Sequence, residues 1–339
     1  GASQVRNFQA ISGWYSADEL FKVTQRDENG NSMLTYTDRI GRKVMQDQQG
    51  SKTYFLYNDQ GLLEQVIQPV AAQKGHDTPM LTYMDSQIKD GSFLYTYDSE
   101  YRMKTKVVPG CAAYTYFYDD LDQLVMTQDG NGFKTFTKYD KLGRPVVTGR
   151  YKGGATPSTS QVVFEERSTS APHYYSTNQS FPSDGNIDIY TITYYDDYDI
   201  NADDTEEINY ESNSITNPNY TNYPYVRGML TASKVAILNN DGSAPSIYLN
   251  AYTFYDQFRR VIHGRKENHL NGEDKVWTNY NFAGWVLQTR RVHDTNIVGQ
   301  VTSKTINERW EHDHIGRELK YYHQVDSEAE KLISEKAKS

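Results

Sequence analysis

Residues 95–149 read YTYDSEYRMKTKVVPGCAAYTYFYDDLDQLVMTQDGNGFKTFTKYDKLGRPVVTG, and one short pattern recurs within them. An aromatic stands just before Asp, a turn position follows three residues later, and often an Arg after that. Tyr97 precedes Asp98, Tyr101 and Arg102; Tyr118 precedes Asp119, Asp122 and Gln123; Tyr139 precedes Asp140, Gly143, Arg144 and Pro145. Upstream, Tyr36 and Thr37 precede Asp38, Gly41 and Arg42, and Tyr57 precedes Asn58, Gly61 and Leu62. Downstream come Tyr255, Asp256, Arg259 and Arg260, then Tyr280, Asn281, Gly284 and Trp285, then His312, Asp313, Gly316 and Arg317. Every copy keeps Asp or Asn at the anchor. The first five anchors are spaced 20, 40, 21 and 21 residues apart, a unit of about twenty with a degenerate copy near Tyr83 and Asp85.

That length suits a hairpin and its return. Residues before the anchors alternate, as in Tyr95 and Tyr97 or Tyr114, Tyr116 and Tyr118, so the tyrosines line one face of a strand whose side chains have period 2. An anchor Asp or Asn accepts backbone N–H groups two residues on, and Gly three later supplies the positive φ of a type I turn with a following bulge. Arg then begins the return strand, where its guanidinium can stack on a tyrosine or pair with the anchor of a neighbouring unit. Copies with Tyr101, Asp122 or Arg259 in place of Gly are expected to have looser or differently shaped turns.

Composition agrees with a β architecture. Hydrophobic residues make up 37% of the 339-residue chain, somewhat low for one compact core, while 29 tyrosines, 12 phenylalanines and 4 tryptophans favour strands and two-faced surfaces. A net charge of −9 argues against a nucleic-acid binder, which needs a clustered basic footprint. The single Cys111 excludes an internal disulfide framework and is expected to be a small buried hydrophobe. No apolar run approaches a membrane helix and no signal peptide is visible; Gly1, without Met, reads as a tag remnant on an excised region whose signal lies upstream.

The repeated residues resemble the consensus YxYDxxGR of the YD-repeat (RHS) family over about 33–148 and 249–325. The runs YTYDSEYRMKTKVVPG, YFYDDLDQLVMTQDG and FTKYDKLGRPVVTG, with ITYYDDYD and VRGMLTASKV, are similar to members of the Bacteroidetes type. The resemblance implies an all-β fold of repeated antiparallel hairpins forming a long curved or spiral sheet, a part of a hollow shell. In insecticidal toxin complexes, polymorphic toxins and teneurins such a shell can enclose a C-terminal segment. It implies a secreted or cell-surface parent, with the remainder of that parent, including a C-terminal segment or toxin, as partner. The self-cleaving aspartates of some members belong to a C-terminal core region outside this chain.

The organisation expected is lead-in strands at 1–32, a repeat block at 33–148, a Ser/Thr/Pro-rich excursion loop at 149–190, a second block at 191–325 with an acidic loop at 199–224, and a charged tail or short helix at 326–339. Asp196 in YTITYYDDY presents another anchor, and 226–238 reads as a strand pair.

Chemistry-bearing candidates are few. Asp196, Asp197, Asp199, Asp203, Asp204, Glu206 and Glu207 hold enough oxygens for Ca²⁺ but lack an EF-hand order, so a solvated acidic loop is the plainer reading. His312 and His314 share a strand face in this reading, yet no further Cys or His stands at zinc spacing. No GxxxxGK, HExxH or GxSxG occurs. Carboxylates that recur with the repeat are explained by the turn, so no catalytic site, cofactor or metal is expected, and the function expected is a structural scaffold. The alternative is a carbohydrate-binding module using exposed tyrosine faces, with glycans as partners. Open sheet edges make self-association a further expectation.

Overall fold

A computed structural model of the chain describes residues 5–9, 14–16, 18–78, 81–158, 164–169, 172–201 and 208–336. It divides into two compact units, Gly1–Lys134 and Thr135–Ser339. The first is an antiparallel meander of β1 (Phe21–Arg26), β2 (Ser32–Thr37), β3 (Lys43–Gln48), β4 (Ser51–Tyr57) and β5 (Leu63–Ile67), then helices α1 (Pro69–Asp77) and α2 (Ser86–Lys89), then β6 (Ser92–Tyr97), β7 (Met103–Val107), β8 (Tyr114–Tyr118) and β9 (Leu124–Gln128). Consecutive strands pair throughout.

The second unit begins with β10 (Lys134–Tyr139) at the boundary. It continues through β11 (Pro145–Tyr151), β12 (Ile187–Tyr195), β13 (Leu230–Ala236), β14 (Tyr248–Tyr255), β15 (Val261–Glu267), β16 (Glu273–Tyr280), β17 (Val286–Ile297), β18 (Gln300–His312), β19 (Glu318–Val325) and β20 (Lys331–Glu335). From β11 onward each strand again pairs antiparallel with the next. The fold is all-β, as short runs of Tyr, Thr and Val between turn residues dictate.

A β-bulge accompanies the motif. Register slips just before the motif position at Leu56/Tyr57, Thr96/Tyr97 and Phe117/Tyr118 in the first unit, and at Tyr194/Tyr195, Phe254/Tyr255 and Glu311/His312 in the second. The extra residue sits on the return strand, where it adds twist. Val125, Thr231 and Ile262 occupy this place and are buried.

Each unit covers one sheet face with inserted chain. In the first, Val5, Phe8, Ala71, Ala72 and Ile88 pack on Met45, Tyr54, Leu56 and Ile67. Gly75 lies beneath the Phe8 ring, where a β-carbon would come within 2.3 Å of it. In the second unit, Tyr175 stacks on Tyr194, and Tyr198 stacks on Phe254, whose other neighbours are His263 and then Trp277. Glu211 accepts Arg265 and Lys275 at 3.1 and 3.0 Å, and its carbonyl accepts Trp277 Nε1 at 2.8 Å. Lys138 and Glu165 form an ion pair with both side chains fully buried. Lys138 Nζ also donates to the carbonyls of Ser180 and Pro182, and Glu165 accepts from Ser176 and Ser180. Such a satisfied pair adds little net stability, yet deleting one partner costs about 3–5 kcal/mol, so it fixes where the segment docks.

Several expectations are corrected. The degenerate copy near Tyr83 and Asp85 is absent; that stretch leads from α1 into α2, with Asp85 as the cap of α2. The excursion at 149–190 is narrower, since β11 runs to Tyr151 and β12 starts at Ile187. Residues 226–238 contribute one strand, whose partners are β12 and β14. In the expected tail, Lys331–Glu335 is a strand paired with β19, because alternating Leu332 and Ser334 suit an edge as well as a helix. Cys111 is exposed, being in the linker between β7 and β8.

Candidate functional site: hairpin turns clamped in pairs

Each anchor closes the same corner. Asp38 N donates to Arg42 O at 2.9 Å and Gly41 N to Asp38 O at 3.0 Å, while Asp38 Oδ1 accepts the amides of Ile40 and Arg42 at 3.0 and 2.9 Å. Asn58, Asp98, Asp119, Asp140, Asp256, Asn281 and Asp313 repeat both backbone bonds, and each side chain accepts the amide four residues on. Gly41, Gly61, Gly143, Gly284 and Gly316 have φ between 75° and 89°. Tyr101, Asp122 and Arg259 adopt φ of 64°, 61° and 62° and make the same amide bond back to the anchor carbonyl, at 3.1, 3.2 and 2.9 Å. The looser turns expected there do not occur. The anchor's hydrogen bonds impose the left-handed conformation, at a cost of about 1–2 kcal/mol for a residue with a β-carbon.

At the opposite ends of the strands, Asp27, Asp129 and Asn268 accept the amides two and four residues on without a motif Tyr before them or an Arg after. Asp or Asn therefore suffices for a corner, and the motif's Tyr and Arg do something else. What they do is join one hairpin to the next. Six motif tyrosine hydroxyls donate to the carbonyl just past the preceding corner: Tyr57 to Lys43, Tyr97 to Leu63, Tyr118 to Met103, Tyr195 to Pro145, Tyr255 to Leu230 and Tyr280 to Val261, at 2.7–3.2 Å. Burial pushes the pKa of these phenols up.

Arginine spans two corners at once. Arg102 Nε donates to its own anchor Asp98 at 2.8 Å, while Nη1 reaches Asp119 O and Asp122 Oδ1 of the next corner at 3.0 and 2.6 Å. Arg144 holds Asp140 at 2.7 Å and meets Asp196 with Nη1 and Nη2 at 2.9 and 2.7 Å. Arg260 holds Asp256 at 2.7 Å and donates to Asn281 O at 2.8 Å. Arg42, Arg102, Arg144 and Arg260 also lie over the next motif tyrosines, Tyr57, Tyr118, Tyr195 and Tyr280, at 4.4–4.9 Å. The stacking on tyrosine expected for Arg is present at all four, pairing with a neighbouring anchor carboxylate occurs at Arg144, and each also holds its own anchor. For Asp38 and Asp98 burial pulls the carboxyl upward, but the bonds from their arginines outweigh it and hold both below the usual range. In the same way Arg317 holds Asp313 at about 2.

These arginines alternate. The Asp196 corner closes through Met229 O at 3.1 Å, with Gly228 at φ 84° and its amide 2.7 Å from Asp196 Oδ1. Residues 197–227 are thus inserted inside a corner, and Met229 stands where Arg stands elsewhere. The series in chain order is Arg42, Leu62, Arg102, Gln123, Arg144, Met229, Arg260, Trp285, Arg317. Every Arg follows an Asp anchor; two corners without Arg have Asn58 and Asn281 instead, which bring no charge to neutralise. A third, Asp119, leaves Oδ2 buried without a hydrogen-bond partner. Within each unit hairpins are therefore clamped in twos, and the junctions between such pairs inside a unit lack the guanidinium.

The remaining candidates fall elsewhere. Asp196 is committed to Arg144 and Gly228, and Asp197 pairs with Arg167 at 2.7 Å, so this part of the acidic stretch is ion-paired. Asp203, Asp204, Glu206 and Glu207 lie outside the described residues. Among the described residues no group of three His, Cys, Asp or Glu gathers as metal ligands would. His312 ends β18 with its ring 5.7 Å from Trp285, whereas His314 lies in the turn and shares no strand with it.

No known protein-family model matches the sequence, and no curated protein matches it. Among solved structures the chain is similar to one described as "Crystal Structure of TcdB2-TccC3", with a TM-score of 0.33 and 12% identity over 91% of this chain and 17% of that one. A Photorhabdus luminescens Tc holotoxin pore gives 0.30 and 11% over 89% and 19%. The chain spans less than a fifth of either, and a likeness this slight carries no argument about what it does.

Proposed function

We propose that the chain is a non-catalytic structural segment of a larger YD-repeat (RHS) protein that acts outside the cell or at its surface, its hairpins forming part of a wall that encloses or displays another segment of the same parent. The observation that carries this reading is the employment of the motif: anchor carboxylates, tyrosine hydroxyls and guanidinium groups are engaged in corners and hairpin-to-hairpin bonds, which is scaffold chemistry. Strands β1 and β20 support it, since both are largely exposed and each has one paired neighbour among the described residues, the form of a sheet that further repeats extend. The runs at 95–110 and 136–149 favour a parent of the Bacteroidetes type.

The test is limited proteolysis of the intact parent protein. The segment following the repeats is expected to be protected while the repeats are folded and cut once they are unfolded. Equal cleavage of that segment in the native and denatured parent contradicts enclosure. A hydrolytic or transferase activity of the isolated chain contradicts the scaffold reading itself.

A further inference from the structure

Strands β17 and β18 are 12 and 13 residues long, against at most 9 for the other strands, and their ends run past their neighbours. Strand β16 accompanies β17 only as far as His293, and β19 accompanies β18 only from Ile306. What projects is a two-stranded arm, paired within itself out to Ile297 and Gln300 and closed by Val298 and Gly299. The bonds at its root fix which way its backbone faces. Asn296 N donates to Leu270 O at 2.9 Å on the β17 side; on the β18 side Thr305 N donates to Asp326 Oδ1 at 2.8 Å, and Thr305 O accepts Asp326 N at 2.7 Å. Outward-facing residues alternate along an antiparallel strand, so Val301 and Ser303 face outward on the same edge as Thr305. Among the described residues no strand or loop takes up their amides and carbonyls.

Charge and strain set this edge apart. Residues 295–303, TNIVGQVTS, include no charged side chain in a chain of net charge −9. Strands β1 and β20, which also have an open side, carry Lys22, Arg26, Lys331 and Glu335, charges of the kind that keep an edge from pairing. Val298 holds φ at 51°, and of the described non-glycine residues at positive φ it is the one that is β-branched. Asn or Gly takes that place in a two-residue hairpin loop without such strain, yet an aliphatic side chain is kept there, 98% exposed, with Val301 72% exposed beside it. Lipid does not suit the arm, because an open backbone edge finds no partners in a bilayer and no aromatic residue within 294–305 would seat in its interface. A partner of opposite charge has nothing to hold on a neutral arm. What fits is another neutral strand edge, and in an acidic molecule this arm is where two copies approach without repulsion.

From this we infer that the arm pairs with the same arm of a second copy of this chain, the two β18 edges running antiparallel about a two-fold axis at Thr302. In that register Val301 of each copy faces Ser303 of the other, so the outward amides and carbonyls are exchanged in four hydrogen bonds. Gln300 faces Lys304, so no like charges meet, and the two Val301 side chains lie diagonally on one face. The register also brings each Val298 to the level of Ile306 on the other copy, which gives the strained apex a contact. A contact of this size belongs to the weak class, below about 1,200 Å², and associates copies that are already concentrated. This goes beyond the scaffold reading, which extends the wall at β1 and β20 and is tested by proteolysis of the parent without reference to the arm.

The experiment is sedimentation equilibrium of the chain from about 5 to 500 µM, with amide exchange measured at both ends of that range. The mass is expected to rise toward that of a dimer with a Kd below about 500 µM, and exchange at Val301 and Ser303 to slow as it does. Val301→Lys sets like charges on the pairing face and should raise the Kd about tenfold or more with the melting temperature unchanged. Val298→Asn relieves the apex, so the melting temperature should hold or rise while association weakens about threefold. The inference is overturned by a monomer throughout the range, by association that Val301→Lys leaves intact, which places the contact at β1, β20 or elsewhere, or by binding to phosphatidylcholine–phosphatidylglycerol vesicles that Val298→Asn abolishes.

Discussion

At the Asp256 corner a guanidinium is shared between two hairpins, held by a carboxylate with no exposed surface and laid over Tyr280 at 4.8 Å. At the Asn58 corner Leu62 takes the same position, the anchor is uncharged, and a recess opens toward the next hairpin. The backbone hydrogen bonds of the two corners match to within 0.2 Å. One backbone therefore serves two kinds of junction, and the residue four after the anchor decides which. Closed junctions tie a pair of hairpins through the guanidinium; open ones lack that tie.

The largest effect expected is at the closed junction. Arg260→Ala abandons the buried Asp256 carboxylate, and urea unfolding followed by tryptophan fluorescence should show a loss of about 3–5 kcal/mol. Leu62→Ala removes a half-buried side chain with no charge behind it and should cost less than half as much. Converting one kind into the other is the next largest. Gln123→Arg offers a partner to the orphaned Asp119 Oδ2 and should stabilise the first unit by about 1.5–3 kcal/mol, the range of a charge-assisted bond. No gain means that the Asp119 corner itself cannot seat a guanidinium.

Acidity separates the two kinds more gently. Asp38, Asp98 and Asp313 have folded-state pKa values below the unfolded value of about 3.9. Their stabilisation is complete above that pH and is lost as the pH falls from about 4 toward 2, whereas Asn58 and Asn281 do not titrate. Asp98→Asn should therefore flatten the acid limb of the stability profile of the first unit. At milder pH, His173 and His263 are held neutral, first by burial and then by nearby cations, among them Lys234 for His173. Their lowered pKa makes the unfolded state the greater proton acceptor, so the second unit should lose stability below about pH 6.5, seen in urea midpoints at pH 7 and pH 5.

The hairpin architecture was legible because each corner is local: an Asp or Asn, its own amides, and a residue at positive φ all fall within five positions. Junctions were legible only in kind, as an Arg that reaches a neighbouring unit, and not in their partners or in the tyrosine hydroxyl bonds, because they join residues 14 to 52 apart, as Tyr57 to Lys43 or Arg144 to Asp196. The alternation of Arg with other residues stood in the sequence but was masked twice. Asp196 is separated from Gly228 by an inserted segment, and Tyr83 and Asp85 imitate a corner that is in fact the lead into α2. The inserted segments themselves read as polar loops, since Ile200, Ile208 and Val226 are too widely spaced to show a period although all three are buried. Composition likewise had no means of placing Cys111 at the surface.

The central claim is that Arg adds a tie between two hairpins, which the tyrosine hydroxyl and the strand pairing alone join where Arg is absent. A double-mutant cycle of Arg260→Ala with Tyr280→Ala, run in parallel with Leu62→Ala and Tyr97→Ala, measures both junctions by urea unfolding. The account predicts a coupling of about 1–3 kcal/mol for the first pair and additivity within about 0.5 kcal/mol for the second. Additivity at Arg260 and Tyr280, or equal coupling in both cycles, would contradict it.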